Sequence, residues 1–285
     1  MPSAAPQELC NRLLQSRTRL LLRVLWPLTW PVRRYWVGSR RKLGKRLLVD
    51  GMLKRLLPAP PRGFEAELPG GGRVFLHYRE DVGLVTFLSG GFERAELEEA
   101  RRHARPGSTA IDVGANVGVY TVTLARAVGP AGRVLAFEPF PETVRRLEEN
   151  VRLNGLANVA VHSKAVAAEP GEVELRLGSD PGFHSTATVA ERRGSGASLR
   201  VLATTLDEEW EAAGRPPLSF VKIDTEGAEE AVVLGARDLL REQRPVVLAE
   251  VRDERVLALL RGLRYDDVRP RGFAPGNVLF VPRHP

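Results

Sequence analysis

From about residue 106 onward the chain repeats one pattern. A short apolar run comes first, then a break rich in glycine or acid, then ten or more residues with apolar positions three and four apart. Ala110-Ile111-Asp112-Val113, broken by Gly114, reads as a buried strand. Residues 119–128 have the length and period of a helix, and residues 133–137 are a second apolar run that ends in Glu138. Residues 141–153 predict a helix with Val144, Leu147 and Val151 inward and Arg145, Arg146, Glu148 and Glu149 outward. Residues 158–166 predict a third strand, 220–224 a fourth with 228–241 as its helix, and 245–251 a fifth. Residues 253–261 are helical, and 265–268 with 278–281 close the sheet as a hairpin. Strands alternating with helices predict an α/β fold. The expected form is a Rossmann-like, mostly parallel seven-stranded sheet with helices on both faces and a terminal antiparallel hairpin.

Upstream the pattern changes. Residues 64–88 read as strands joined by Pro69-Gly70-Gly71-Gly72, a small sheet covering the entrance to the main domain, and residues 92–104 as a helix. Pro58 to Arg62 is a proline-rich break and the predicted boundary. It separates residues 1–60, a basic amphipathic extension, from residues 61–285, whose Rossmann-like core begins near residue 92. A helix over residues 12–26 places Leu13, Leu14, Leu20, Leu21, Val24 and Leu25 on one face, interrupted by Arg17, with Arg12, Arg19 and Arg23 roughly opposite.

Charge sharpens this division. The net charge of +7 is the sum of +11 in the first sixty residues, where thirteen Lys and Arg face only Glu8 and Asp50, and −4 in the rest. The basic character therefore belongs to the extension. A Trp-bearing basic segment over residues 10–46 suits an anionic membrane surface, a cap packed on the domain, or a nucleic-acid contact, and the residues alone leave all three open. Its apolar stretch is too short and too charged to span a bilayer, and no small-residue cleavage site follows it. Cys10 is the only cysteine, so no intrachain disulfide forms, which fits a reducing compartment. A cytoplasmic setting is expected, with any membrane contact peripheral at the inner face.

The candidate chemistry lies at the strand ends. Strand, glycine turn, helix, strand and acid form the first unit of a nucleotide-binding sheet, and Glu138 stands twenty positions past Gly118, placed to accept from both ribose hydroxyls. Asn116 occupies the place of the second glycine of a dinucleotide turn, and its side chain fills space that a phosphate needs. A ligand with adenine and ribose but no phosphate fits better, and S-adenosylmethionine is the common one. Asp112, Glu138, Asp224 and Glu250 each end a predicted strand, along one edge of the sheet where such folds bind ligands.

Six motifs in order make the chain resemble the FkbM family of S-adenosylmethionine-dependent methyltransferases. They are Gly91-Phe92-Glu93, Asp112-Val-Gly-Ala-Asn-Val-Gly118, Ala136-Phe-Glu-Pro139 with residues 147–150, Thr205-Leu-Asp207, Val221-Lys-Ile-Asp-Thr-Glu-Gly-Ala-Glu229 and Arg244-Pro-Val-Val-Leu-Ala-Glu250. The resemblance covers about residues 91–281 and leaves the first sixty outside it. It implies a class I methyltransferase fold and methyl transfer, often to a hydroxyl of a sugar, polyketide or other secondary metabolite. The expected acceptor is a hydroxyl on a small molecule, glycan or lipid-linked compound, and nucleic acid is not the expected partner.

Asp112, Gly114, Asn116, Gly118, Glu138, Ser163 and Asp224 are then the expected cofactor residues, with adenine contacts from residues 162–165. Asp224 is the candidate base, with His184 on a loop over residues 182–198 as its rival, and Glu226, Glu229 and Glu250 stand near the acceptor. Glu226, Glu229 and Glu230 also suit the first turn of a helix on dipole grounds alone. Asp224 with Glu250 offers two carboxylates for magnesium but no third ligand, so no metal is expected. Two other readings stay open: a nucleic-acid methyltransferase that holds phosphates with the basic extension, and a non-catalytic binding protein that retains the fold.

Overall fold

The computed structural model of the chain describes residues 63–77, 82, 83, 85, 86, 91–176 and 198–283. The readings made for residues 1–60, for His184 and for nearly all of the 182–198 loop lie outside the described residues.

Two strands open the described chain, β1 (Gly63–Glu67) and β2 (Arg73–His77), paired as a two-stranded sheet. Beyond them residues 82, 83, 85 and 86 are helical, and the Thr86 hydroxyl donates to the Val82 carbonyl at 2.6 Å, one turn back. Strands throughout 64–88 were expected; a short apolar run satisfies either period, and here the local i−4 bond is made.

A compact unit comprises residues 68–74 and 93–285. Its described strands are β3 (Thr109–Val113), β4 (Arg133–Phe137), β5 (Val159–His162), β6 (Ala165–Val166), β7 (Gly171–Arg176), β8 (Ser198–Thr204), β9 (Leu218–Ile223), β10 (Val246–Glu250), β11 (Tyr265–Val268) and β12 (Asn277–Pro282). Its helices are α1 (Arg94–His103), α2 (Val119–Val128), α3 (Pro141–Leu153), α4 (Leu206–Ala212), α5 (Glu229–Leu234), α6 (Arg237–Gln243) and α7 (Glu254–Gly262). Seven strands form one sheet in the order β11-β12-β10-β9-β3-β4-β5, parallel but for β12, which is antiparallel to both neighbours. This is the Rossmann-like sheet with a terminal hairpin that the periodicity predicts.

Both faces of the sheet are covered, so the central strands are mostly apolar. Ile111, Val113, Leu135, Phe137, Val221, Ile223, Val247 and Phe280 pack with Leu206, Trp210, Val233, Leu240 and Leu260 of α4 to α7. On the other face Ala136 packs with Leu147 and Val151 of α3, and α2 lies along β3 and β4 with α1 beside it. Two charged residues interrupt that face, Asp112 and Lys222, both buried.

Two further expectations are corrected. The third strand does not run from 158 to 166. Its pairing with β4 stops at His162, and Ala165–Val166 joins β8 in a separate three-stranded sheet. The partner changes because β4 itself ends, its last rung being the Glu138 amide on the His162 carbonyl at 3.1 Å. The helix over 228–241 is two helices, broken at Gly235 and Ala236. A Cβ on Gly235 would lie 2.1 Å from the Ala167 carbonyl oxygen, so that approach admits glycine alone. The second helix then starts on a cap from elsewhere: the Asp207 carboxylate accepts from the Leu239 and Asp238 amides at 2.8 and 3.2 Å.

Candidate active site

At the carboxyl end of the sheet, the turn after β3 is held from both sides. The Gly114 and Ala115 amides donate to the Phe137 carbonyl at 3.0 and 2.9 Å, and the Asp224 amide donates to Val113 at 3.1 Å. Gly114 and Gly118 both have positive φ, +73° and +93°. A Cβ on Gly114 would stand 1.8 Å from the Asp224 carbonyl oxygen, and one on Gly118 would stand 2.6 Å from Leu147 Cδ1. Gly114 is therefore required by the backbone packing of the fold itself, a reason beyond the ligand clearance that the motif suggests, while Gly118 meets only a side-chain end and is favoured by its positive φ. Asn116, at φ +48°, takes the left-handed conformation that Asn tolerates, and Asn150 supports the turn by donating to the Val117 carbonyl at 2.7 Å.

Glu138 reaches back from the end of β4 to this turn. One carboxylate oxygen accepts from the Asn116 amide at 2.9 Å and the other from the Phe140 amide at 3.0 Å. Burial pushes its carboxyl up to about 7, against the pull of these two donors and of Lys222.

The neighbouring strand carries a buried cation. Parallel register sets Lys222 of β9 beside Asp112 of β3. Lys222 Nζ donates to the Gly114 carbonyl at 3.0 Å, stands 3.4 Å from Asp224 Oδ2 and 3.8 Å from Asp112 Oδ1, and lies 5.1 Å from the centre of the Tyr120 ring. Burial disfavours its charge, but Asp224 and Asp112 outweigh that and hold its pKa above the usual lysine value. Asp112 is fully buried, which raises its carboxyl, while Lys222 and the Thr121 hydroxyl at 2.6 Å oppose the rise.

From Tyr120 the network continues outward. Its hydroxyl donates to Glu93 Oε2 at 2.7 Å, and Asn277 donates to Glu93 and Glu96 at 3.2 Å each. Burial raises the Glu93 carboxyl to about 7, with Tyr120 and Lys222 lowering it and Asp224 and Glu96 raising it.

Asp224 begins a tight loop that Glu229 braces. Glu229 is buried, and Oε1 accepts from the Thr225 amide at 2.9 Å, the Thr225 hydroxyl at 3.1 Å and the Gly227 amide at 2.9 Å. Glu226 and Glu250 are both held by Arg252. Burial raises both carboxyls, and Asp224 adds to the rise. Oxygens of Asp224, Glu229 and Glu250 come within 4.8 Å of one another, so Glu229 is the third carboxylate that the sequence did not show beside Asp224 and Glu250, with one oxygen of Glu229 held by the loop and one of Glu250 by Arg252.

Ser163 lies exposed just beyond β5, one residue past His162, whose carbonyl accepts from the Glu138 amide at 3.1 Å. His162 beside it stacks on Phe137 at 4.7 Å between ring centres, with Nδ1 3.2 Å from Glu209. The structure thus gathers Asp112, Gly114, Asn116, Gly118, Glu138, Asp224, Glu226, Glu229 and Glu250 along one edge. Lys222, Tyr120 and Glu93 join them without having been given a role from sequence. The available signal was Lys222 itself, a lysine in an otherwise apolar strand, which has to find an acid.

The FkbM methyltransferase domain profile matches residues 112–266, from the buried acid of β3 to the terminal hairpin. The chain belongs to the FkbM methyltransferase family. A relative in this family, 31-O-demethyl-FK506 methyltransferase FkbM of Streptomyces tacrolimicus, is 28% identical over 190 residues, covering 55% of this chain and 72% of that protein. Methyltransferase 1 of Beauveria bassiana (strain ARSEF 2860) is 26% identical over 145 residues, covering 45% of this chain, which spans 58% of that relative. Among solved structures, methyltransferase FkbM of Methylobacillus flagellatus KT aligns with a TM-score of 0.44 at 18% identity, over 69% of this chain and 52% of that one. No helix among the described residues is long and apolar enough to cross a membrane.

Proposed function

We propose that the chain is an S-adenosylmethionine-dependent O-methyltransferase whose acceptor is a hydroxyl on a small molecule, glycan or lipid-linked compound. The observation that carries this reading is the Glu138 carboxylate, buried at the end of β4 and tied to the glycine turn through the Asn116 amide. Each of its oxygens accepts one backbone bond and keeps a further lone pair, so the pair suits two adjacent ribose hydroxyls. The donor set fits a cationic cofactor: among the described residues Asp112, Asp224 and Glu93 stand around Lys222, which bonds the turn at Gly114. When bound, S-adenosylmethionine supplies a sulfonium-activated methyl group.

Asp224 is the group placed to take the acceptor's hydroxyl proton, a contribution of about 10²–10⁴-fold for a positioned base. The loop braced by Glu229 holds it in place, and alignment of acceptor with methyl donor is worth up to about 7–11 kcal/mol. An oxygen acceptor agrees with the name of the Streptomyces tacrolimicus relative, 31-O-demethyl-FK506 methyltransferase FkbM.

Calorimetric titration of S-adenosylmethionine and its demethylated product into wild type and Glu138→Ala tests the reading. The variant removes charge-assisted bonds worth about 1.5–3 kcal/mol, so affinity is expected to fall roughly 10- to 150-fold. Wild-type protein that binds neither compound overturns it.

A further inference from the structure

We propose that Lys222 is a positioning residue, fixing the Gly114 carbonyl and the Asp224 carboxylate across the junction of β3 and β9. The inference rests on the cofactor reading above and adds to it a residue that the reading does not require. The two strands end side by side, and the Gly114 and Asp224 backbones touch so closely that only glycine fits. One ammonium group spans that contact, donating to Gly114 at 3.0 Å and standing 3.4 Å from Asp224. The turn that would hold the cofactor and the acid that would face the acceptor therefore share a single buried cation.

A structural reading alone does not account for this arrangement. A lysine placed in a strand interior only for stability is expensive to bury, and an apolar side chain of similar length would pack there at no desolvation cost. Lys222 is instead surrounded by polar groups from several elements: Asp112 from β3, the Gly114 carbonyl from the turn, Tyr120 from α2, Glu93 at the start of α1 and Asp224 from its own strand end, with Leu248 of β10 beside it. Its charge bears on both sides of the site, since it lowers the carboxyls of Asp112, Glu138 and Glu93 against the burial that raises them. Removing the cation lets those carboxyls rise further, so they hold protons to higher pH and present less negative charge to a cationic ligand.

The test uses S-adenosylmethionine as the probe and needs no acceptor. It is titrated calorimetrically into full-length wild type, Lys222→Met and Lys222→Arg across about pH 6 to 8.5. Lys222→Met is expected to bind at least about tenfold more weakly at neutral pH, with the acid limb of its affinity profile displaced upward. Lys222→Arg, which keeps the charge but not the point geometry, is expected to hold the limb at its wild-type position and recover part of the affinity. In an Asp224→Asn background the loss caused by Lys222→Met is expected to shrink, because the two groups act as a pair.

Unchanged affinity in Lys222→Met overturns the proposal, and so does a loss that is uniform with pH and unaffected by Lys222→Arg. If Lys222→Met fails to fold because Asp112 is left without its cation, the double variant Lys222→Met with Asp112→Asn is compared with Asp112→Asn alone on the same criteria. Wild type that does not bind the probe at all overturns the cofactor reading itself, which separates that failure from a failure of Lys222.

Discussion

Gly114→Ala offers a direct test of the claim that the glycine turn is required by the fold as well as suited to a ligand. The added Cβ would stand 1.8 Å from the Asp224 carbonyl oxygen, where real contacts do not fall below 3.0 Å, so the two strand ends must separate by about 1.2 Å. They are held together by the Asp224 amide on Val113, while the Gly114 and Ala115 amides tie the turn to Phe137 on its other side. Neither neighbour is the free end of a flexible side chain, so the backbone itself has to move. The left-handed conformation at φ +73° adds roughly 1–2 kcal/mol for any residue with a Cβ. Overpacking of this kind adds about 1–3 kcal/mol, and loss of one backbone hydrogen bond about 1 kcal/mol. The sum, about 3–6 kcal/mol, is a large part of the roughly 5–15 kcal/mol that holds a domain folded.

The control is Gly155→Ala, at φ +62° with nothing within 4 Å of the added atom. It meets the conformational strain without the clash and is expected to lose only about 1–2 kcal/mol. Urea denaturation followed by circular dichroism, without ligand, gives both values. If Gly114→Ala is no less stable than Gly155→Ala, the close approach is not a constraint, and the glycine would have to be explained by a ligand alone.

Two further predictions concern stability. Because burial raises Glu138 to about 7 from 4.5, the folded protein keeps this proton through a window in which the unfolded chain releases it, and its contribution to stability falls as pH rises across that window. Glu138→Gln removes the titration, so the variant should gain on wild type between about pH 5 and 8, and urea midpoints that run parallel with pH would refute the assignment. Asp207→Ala strips the cap from α6 and should lower stability by about 1–2 kcal/mol, with Asp207→Asn restoring most of it; denaturant melts of the two variants that coincide would show that the Leu239 and Asp238 bonds carry no weight.

What the chain discloses to a reader and what it withholds divide along the range of the forces involved. The helices over Val119–Val128 and Pro141–Leu153 were legible to the residue, because their periods and their glycine and proline boundaries are local. Glu138 was legible because its distance from the glycine turn follows from one strand and one helix, each of fixed length. The break at Gly235 was not, since it depends on a carbonyl at Ala167, and helical periodicity runs through a glycine without registering a distant obstacle. The end of β5 at His162 was hidden for the same reason, being set by where β4 stops. Lys222 is the clearest instance. Its motif was in view, but its bond to Gly114 joins residues 108 positions apart, and only the parallel register of β3 with β9 brings Asp112 alongside. A lysine inside an apolar strand states that a partner acid exists without saying which. Once the register supplies it, the residue that sequence leaves without a role becomes the link between the two halves of the site.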